Sequence, residues 1–314
     1  MTDPRVTVIA GGVGAARFLR GLVRAVDPTG VTAIVNVADD VVMHGLNVSP
    51  DLDTVTYTLA GVDNTETGWG VENETWQAME TLARYGGEAW FNLGDRDLGT
   101  NLFRTGRLAE GMPLSQITGA ITAGWGIEAT LLPATDDRIE TMVTTEDHGE
   151  IGFQEYFVRH RHAVPVTSVR FAGIEESTPG PGVLDAIADA DLVVVAPSNP
   201  IVSIGPVVSV PGIREAIQAR RDTVAGVSPI IGGKALKGPA DRLMRELGMD
   251  PSVIGVADAY KELVGTLVID DVDAAEADAV RAHGLDCIVT DTIMRDADVA
   301  AQLATTIIEG VLGP

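Results

Sequence analysis

VTVIAGGVGAARFLRGLVRAV, residues 6–26, decides the fold class. Its first five residues form an apolar run that fits a buried strand, Gly11-Gly12-Val13-Gly14 fits a tight turn, and Phe18, Leu19, Leu22 and Val23 then recur at helical spacing. In such a unit the first backbone N–H groups of the helix face whatever anion settles on the turn. The turn is not a Walker A loop, which needs Gly-Lys-Ser/Thr after a longer loop, and Arg17 stands where the fingerprint GxGxxG has its third glycine. No acidic residue ends the second apolar run, residues 31–37, where Asn36 lies, so a nicotinamide oxidoreductase ranks last among the candidate functions. Arg17 either adds charge to the same anion or is an exposed residue of the first helical turn.

Outward from this unit, short apolar runs end one after another in small polar residues. The runs at 90–93, 129–132, 192–196, 224–227, 253–256 and 285–289 lead into clusters that include Asp95, Asp136, Ser198, Ser228, Asp258 and Asp291. Helical stretches at 211–221 and 235–247 lie between some of them, and a loop at 61–73 separates helical residues 57–59 from 74–85. Alternation of this kind predicts an α/β protein with a Rossmann-like, three-layer, mostly parallel sheet. Ligands of such sheets bind outside the carboxyl ends of the strands, where the polar clusters must gather. Residues 136–182 break the alternation: a hairpin over 139–145 and 150–159, then a strand at 166–172, then the breaker-rich 177–182. The expected organisation is a core of residues 1–135 and 183–314 carrying an inserted antiparallel cap, 136–182.

Composition excludes several classes. Forty-five acidic against 22 basic residues give a formal charge of −23, and Lys234, Lys237 and Lys261 are the only lysines, so a nucleic-acid partner is not expected. Cys287 is the single cysteine, which rules out an intrachain disulfide and a cysteine-based zinc site. The five histidines are dispersed, and no Ser-His-Asp order or cysteine nucleophile stands out. No charged and apolar leader opens the chain and no apolar run reaches membrane-spanning length, so the expectation is a cytoplasmic protein away from membranes.

The densest chemistry lies in residues 36–54, NVADDVVMHGLNVSPDLDT, with Asp39, Asp40, Asp51 and Asp53 close behind the glycine turn. Carboxylates beside a phosphate-binding turn would repel an anion unless Mg²⁺ bridged them. Turns and helix caps account for two or three of the four. In SNPIVSIGP, residues 198–206, two prolines stiffen a loop of hydroxyl, amide and glycine groups, and SPIIGGK, residues 228–234, with Lys237 beyond, repeats the style.

GGVGAARFLRGL (11–22), NVADD (36–40), SPDLDTVTY (49–57), NLGDRD (92–97), APSNPIVSIGP (196–206), VSPIIGGKALKGPA (227–240) and DTIM (291–294) occur in an order that resembles the 2-phospholactate transferase family of coenzyme F420 biosynthesis. The resemblance runs over nearly the full length. It implies a magnesium-dependent transfer in which the terminal ribityl hydroxyl of the deazaflavin Fo attacks a GTP-derived donor, lactyl- or enolpyruvyl-diphosphoguanosine, and GMP leaves. Ala15, Ala16 and Arg17 resemble the actinobacterial phosphoenolpyruvate transferase branch, which implies the enolpyruvyl donor. Phosphoryl transfer of this kind asks for positioning and charge neutralisation, so a missing nucleophile motif is no obstacle.

By the resemblance, Asp53 approaches both Mg²⁺ and the Fo ribityl chain, and Asn92 is a second Fo contact. Asp39 joins Asp53 at the metal, with Asp40 as the alternative supporting residue, and Asp95 and Arg96 act with Asp53 at the reaction centre. Gly11, Gly12, Gly14, Arg17, Ser198, Asn199, Ser203, Gly205, Ser228 and Lys237 would hold the nucleotide and its phosphates. A homodimer is the default assembly. The alternative is a non-catalytic regulator of the same fold that binds a nucleotide sugar, keeps the glycine turn and the Ser198 loop, and lacks Fo contacts.

Overall fold

The computed structural model describes residues 3–65, 68–88 and 90–313. Strands β1 (Val6–Ala10) and β2 (Val31–Val35) pair in parallel around helix α1 (Gly12–Ala25). A small hairpin follows, β3 (Val41–Met43) and β4 (Leu46–Val48), then helices α2 (Pro50–Leu59), α3 (Gln77–Arg84), α4 (Asp95–Ala109) and α5 (Leu114–Gly124). Strand β5 (Thr130–Pro133) returns to the sheet beside β2. An antiparallel sheet intervenes, β6 (Glu140–Thr145), β7 (Gly149–Gly152) and β8 (Val166–Ala172), ordered β7-β6-β8. The chain then adds β9 (Leu192–Val195), β10 (Val224–Val227), the short pair β11 (Ile230–Ile231) and β12 (Lys234–Ala235), and finally β13 (Thr266–Ile269) and β14 (Asp286–Val289).

The main sheet has seven strands in the order β14-β13-β10-β9-β1-β2-β5, and every neighbouring pair is parallel. The expected parallel α/β architecture is therefore what forms. Strands β1, β9, β10 and β13 are buried at every residue, because helices cover both faces and no solvent side asks for polar alternation. The chain builds outward from β1 through β2 to β5, then returns to the other side of β1 with β9 and builds the opposite way. The order reverses between β1 and β9, and the crevice at that switch point is where such sheets bind nucleotides.

Several local expectations differ from the fold. Residues 253–256 are not a strand but open the helix Val253–Tyr260, because the Ser252 hydroxyl caps it by accepting from the N–H groups of Ile254 and Gly255 at 3.1 and 3.4 Å. The strand in that region is β13, thirteen residues on from Val253. The apolar run at 90–93 joins no sheet: Trp90 and Phe91 pack edge to face at 5.8 Å, and their neighbourhood forms a satellite core with Met43, Val48, Met79 and Leu93. The second arm of the hairpin ends at Gly152, after which residues 155–159 coil into a helical turn that buries Tyr156 against Val143, Val166, Val202 and Leu243.

Candidate functional site

The two sides of the crevice are locked together by close packing. A Cβ on Gly14 would lie 2.1 Å from the Pro197 carbonyl oxygen, and one on Gly11 would lie 2.8 Å from Ser203 Cβ. The buried Ser198 hydroxyl donates to the Gly11 carbonyl at 2.6 Å. Gly12 has φ +68°, a conformation that only glycine adopts without strain, and this bend starts α1 directly over the crevice. Gly14→Ala is therefore expected to push the turn off the loop after β9 and lower stability. Urea denaturation of the variant checks this, and an unchanged midpoint would show that the contact is dispensable.

On the other side of Gly12 the four aspartates of residues 36–54 separate into two groups. Asp51 and Asp53 are two residues apart on α2, so their side chains leave the helix on different faces. Asp51 faces the glycine turn: the Gly12 N–H points to it, and Asn36 Nδ2, at the end of β2, donates to it at 3.0 Å. Asp39 lies beside it. Both are over nine-tenths buried. Burial pushes the Asp51 carboxyl up to about 6 against the stabilising Asn36 and Gly12 contacts. Burial, then the Asp51 charge, hold Asp39 well above the ordinary carboxylate range. The Thr141 hydroxyl lies nearby, yet neither Asp39 Oδ1 nor Thr141 Oγ1 closes a hydrogen bond.

Asp53 faces the opposite way and meets α4. Along that helix Asp97, Asn101 and Arg104 recur at i, i+4 and i+7 and so share one face, while Asp53 and Tyr57 share a face of α2. Arg104 is 2 % exposed and grips both oxygens of Asp53, through Nη2 to Oδ1 and through Nη1 to Oδ2 at 3.1 Å. Its Nη1 also donates to Asn101 Oδ1 at 2.8 Å. Tyr57 donates to Asp97 at 2.7 Å, and burial, then the Asp53 charge, raise Asp97 to about 7. Asp40 accepts from the Ser49 hydroxyl at 2.6 Å, but its Oδ1 is buried without a partner and burial lifts the group to about 8. Nothing in the linear reading pointed to Arg104. The signal was there: a polar i, i+4, i+7 face on α4 has to be buried against something of opposite charge.

Asp39 and Asp40 open onto a cavity of about 410 Å³ between the β3–β4 hairpin, Trp90 and the inserted sheet, whose Phe153 and Gln154 line the far wall. The sheet is pinned there by the Thr141 N–H to the Ala38 carbonyl at 2.7 Å and by Gln154 to the Asp39 carbonyl at 3.3 Å. The aromatic rings of Trp90 and Phe153 are part of that wall. Asn92 is exposed, two residues beyond Trp90.

The remaining candidates divide. Asp95, expected at the reaction centre, caps α3 instead, accepting from Thr75 Oγ1 at 2.5 Å and from the N–H groups of Gln77 and Ala78 at 3.0 Å each. Arg96 donates from its backbone N–H to Glu74 at 2.8 Å and from its side chain to the Glu72 carbonyl at 2.9 Å. Both sit at the start of α4, where polar groups satisfy helix ends, and Asp97 of the same motif is the residue that turns inward. Asp39 and Asp53, expected to pair at a metal, are committed to different neighbours. Ser228 closes its own turn with Ile230, and Gly205 packs under the Phe171 ring of the inserted sheet. Asn199 caps the 200–204 turn through Oδ1, at 2.9 Å from Ile201 N, and leaves Nδ2 buried without a partner. Lys237 reaches across to α1, its Nζ lying 3.0 Å from where a Cβ on Gly68 would stand, with Val13 beside it. Arg17 is close enough to lower the Lys237 pKa, after burial.

Among the described residues no three histidine, cysteine, aspartate or glutamate side chains form a self-sufficient metal cage. Mg²⁺ rarely uses one: it keeps waters and takes one or two carboxylates together with substrate phosphates. Asp39 and Asp51, buried, oxygen-only and beside the turn, fit that requirement. Among the described residues no helix is long and apolar enough to cross a membrane.

The chain matches the family described as 2-phospho-L-lactate transferase CofD over residues 6–308. It is 46% identical over 310 residues to the phosphoenolpyruvate transferase of Streptomyces griseus, covering 97% of this chain and 98% of that one. It is 44% identical over 314 residues to the phosphoenolpyruvate transferase of Mycolicibacterium smegmatis, covering 95% and 96%. The crystal structure of a UPF0052 family member from Bacillus halodurans superposes with a TM-score of 0.63 at 19% identity, over 98% of this chain and 100% of that one, a likeness of fold.

Proposed function

The chain belongs to the 2-phospho-L-lactate transferase CofD family, and from that premise we propose that it transfers a phosphoenolpyruvyl group from enolpyruvyl-diphosphoguanosine to the ribityl hydroxyl of the deazaflavin Fo, in coenzyme F420 biosynthesis. The names of its relatives support a transferase, and the enolpyruvyl arm over the lactyl one. The observation that carries the proposal is the pairing of the crevice walled by Gly11–Gly14 and Ser198–Ser203 with two buried carboxyls, Asp51 at the glycine turn and its neighbour Asp39, which lines the aromatic-walled cavity.

The diphosphate would lie on the N–H groups that open α1, with the nucleoside over the 198–203 loop. Fo would occupy the cavity between Trp90 and Phe153, its ribityl chain directed at Asp40 and Asp39. Asp39 and Asp51 would hold Mg²⁺, which when bound neutralises the diphosphate and the charge that grows on the departing GMP. The hydroxyl oxygen would form a bond to the phosphorus that bears the three-carbon arm, the bond from that phosphorus to the GMP oxygen would break with its electron pair staying on GMP, and the hydroxyl proton would pass to solvent water. Asp40, which lines the cavity, would orient that hydroxyl. Asp53, clamped by Arg104, holds α2 against α4 behind it. The setting proposed is the cytoplasm, with the protein as a homodimer.

The nucleotide-sugar-binding regulator gains no support, since the relatives named are transferases. Purified protein with Fo, Mg²⁺ and each donor separately, followed by mass spectrometry, tests the proposal. Metal-dependent GMP release with a heavier deazaflavin is expected, faster with the enolpyruvyl donor. GDP binding without turnover of either donor would overturn the transferase in favour of the regulator.

A further inference from the structure

We propose that Thr141, on the inserted sheet, is a positioning residue for Asp39, its hydroxyl donating to Asp39 Oδ1 and so fixing the carboxylate for Mg²⁺; the proposal deepens the transferase proposed above and rests on the placing of Mg²⁺ at Asp39 and Asp51. Strand β6 alternates, with Thr141, Val143 and Thr145 buried and the residues between them half-buried. A buried hydroxyl in such a row needs a partner, because valine has the same shape without an oxygen to desolvate. Thr145 has its partners: the hydroxyl donates to the Gly149 carbonyl at 3.3 Å and accepts from the His148 N–H at 3.1 Å. Thr141 is 0 % exposed, and its Oγ1 closes no hydrogen bond.

The matching acceptor is Asp39 Oδ1, which is sealed from solvent and equally unpartnered. Backbone contacts bring the two together whatever their side chains do: the Thr141 N–H donates to the Ala38 carbonyl at 2.7 Å, and Gln154 of the same insertion donates to the Asp39 carbonyl at 3.3 Å. The other polar neighbour, Asn36, is engaged elsewhere, with Oδ1 accepting from the Ala38 N–H at 2.9 Å and Nδ2 donating to Asp51 at 3.0 Å. Asp39 also lines the cavity, so its sealed oxygen turns to Thr141 and the other is left for the metal. A carboxylate that binds through one oxygen keeps its orientation only if the second is held, and a hydroxyl donor there also offsets the cost of its burial.

Calorimetric titration of GDP over a range of Mg²⁺ concentrations tests this on Thr141→Val, Thr141→Ser and Asp39→Asn. In the wild-type protein Mg²⁺ is expected to tighten GDP binding. Thr141→Val should raise the Mg²⁺ concentration that gives half of this effect roughly tenfold or more, the usual result of removing the hydrogen-bond partner of a metal ligand. Its GDP affinity without Mg²⁺ should stay within about twofold. Thr141→Ser keeps the hydroxyl and should stay close to wild type. Asp39→Asn should weaken the Mg²⁺ response at least as much as Thr141→Val, and adding Thr141→Val to it should change nothing further, since the hydroxyl acts through that carboxylate. A wild-type response in Thr141→Val would overturn the assignment. So would an equal loss in Thr141→Ser, which would put the effect on packing of the methyl group. GDP binding that ignores Mg²⁺ in the wild type, or a full response in Asp39→Asn, would sink the metal site itself, and the role of Thr141 with it.

Discussion

Arg104→Met is expected to lower stability by about 3–5 kcal/mol, the cost of leaving one partner of a buried ion pair charged and alone. Arg104 is 2 % exposed and Asp53 is 5 % exposed, so water cannot replace the guanidinium. Burial already raises the Asp53 pKa even with Arg104 opposing it, and without the arginine the carboxyl must either stay ionised in an apolar setting or take up a proton. The deficit should therefore grow as pH rises: a carboxyl whose folded pKa is raised above its unfolded value is best tolerated while protonated, and loses stability as pH climbs. Urea denaturation of the variant at pH 5.5 and pH 8 measures both statements. Arg104→Met with Asp53→Leu should recover much of the loss, because two apolar groups of similar size replace the pair without an orphaned charge. A loss below about 1 kcal/mol in the single variant, the range of an exposed pair, would show that the interaction is not desolvated.

Much of the fold was legible because its signals are local. The buried strands read as uninterrupted apolar runs, and the unit of β1, the glycine turn and α1 combines two periodicities within about twenty residues. Where a continuous apolar run could be strand or helix, as at Val253–Tyr260, the capping Ser252 was the deciding residue, and periodicity alone does not separate the two cases. The site was legible in composition but not in pairing. The segment from Asn36 to Thr54 announced a carboxylate cluster, yet which aspartate faces the turn depends on α2 beginning at Pro50, since a helix sends Asp51 and Asp53 in different directions. Arg104 is 51 residues from Asp53, so its contact exists only once α2 and α4 pack. The NLGDRD motif carried the same ambiguity: its first aspartate caps a neighbouring helix and its second is buried against Tyr57.

Asp39→Asn is expected to make the metal-free protein more stable at pH 8 while lowering transferase turnover by roughly a hundredfold or more, the effect of losing several kcal/mol of transition-state stabilisation. The two changes have one cause. In the folded chain Asp51, Asp97 and Asp40 titrate at about 6, 7 and 8, and Asp39 also lies well above its ordinary value. In the unfolded chain all of them release protons near pH ~4. Between pH ~4 and each folded value the native state binds more protons than the unfolded one, so stability falls as pH rises, by ~1.4 kcal/mol per pH unit for each proton. The fall ends above pH 8 for Asp40, where both states are ionised. Mg²⁺ reverses the penalty by replacing those protons, so its stabilisation should be larger at pH 8 than at pH 6. Asparagine at position 39 removes a carboxyl that must take up a proton to be buried, which raises metal-free stability, but it also removes an anionic ligand, which flattens the Mg²⁺ response. Thermal denaturation at the two pH values with and without Mg²⁺, beside the turnover assay, separates these effects. Tighter folding with normal turnover would move the metal away from Asp39, and weaker folding at pH 8 would show that its charge is already compensated within the protein. A residue that costs the fold stability yet is retained where an isosteric amide would fold better is the signature of a site shaped by its ligand rather than by packing.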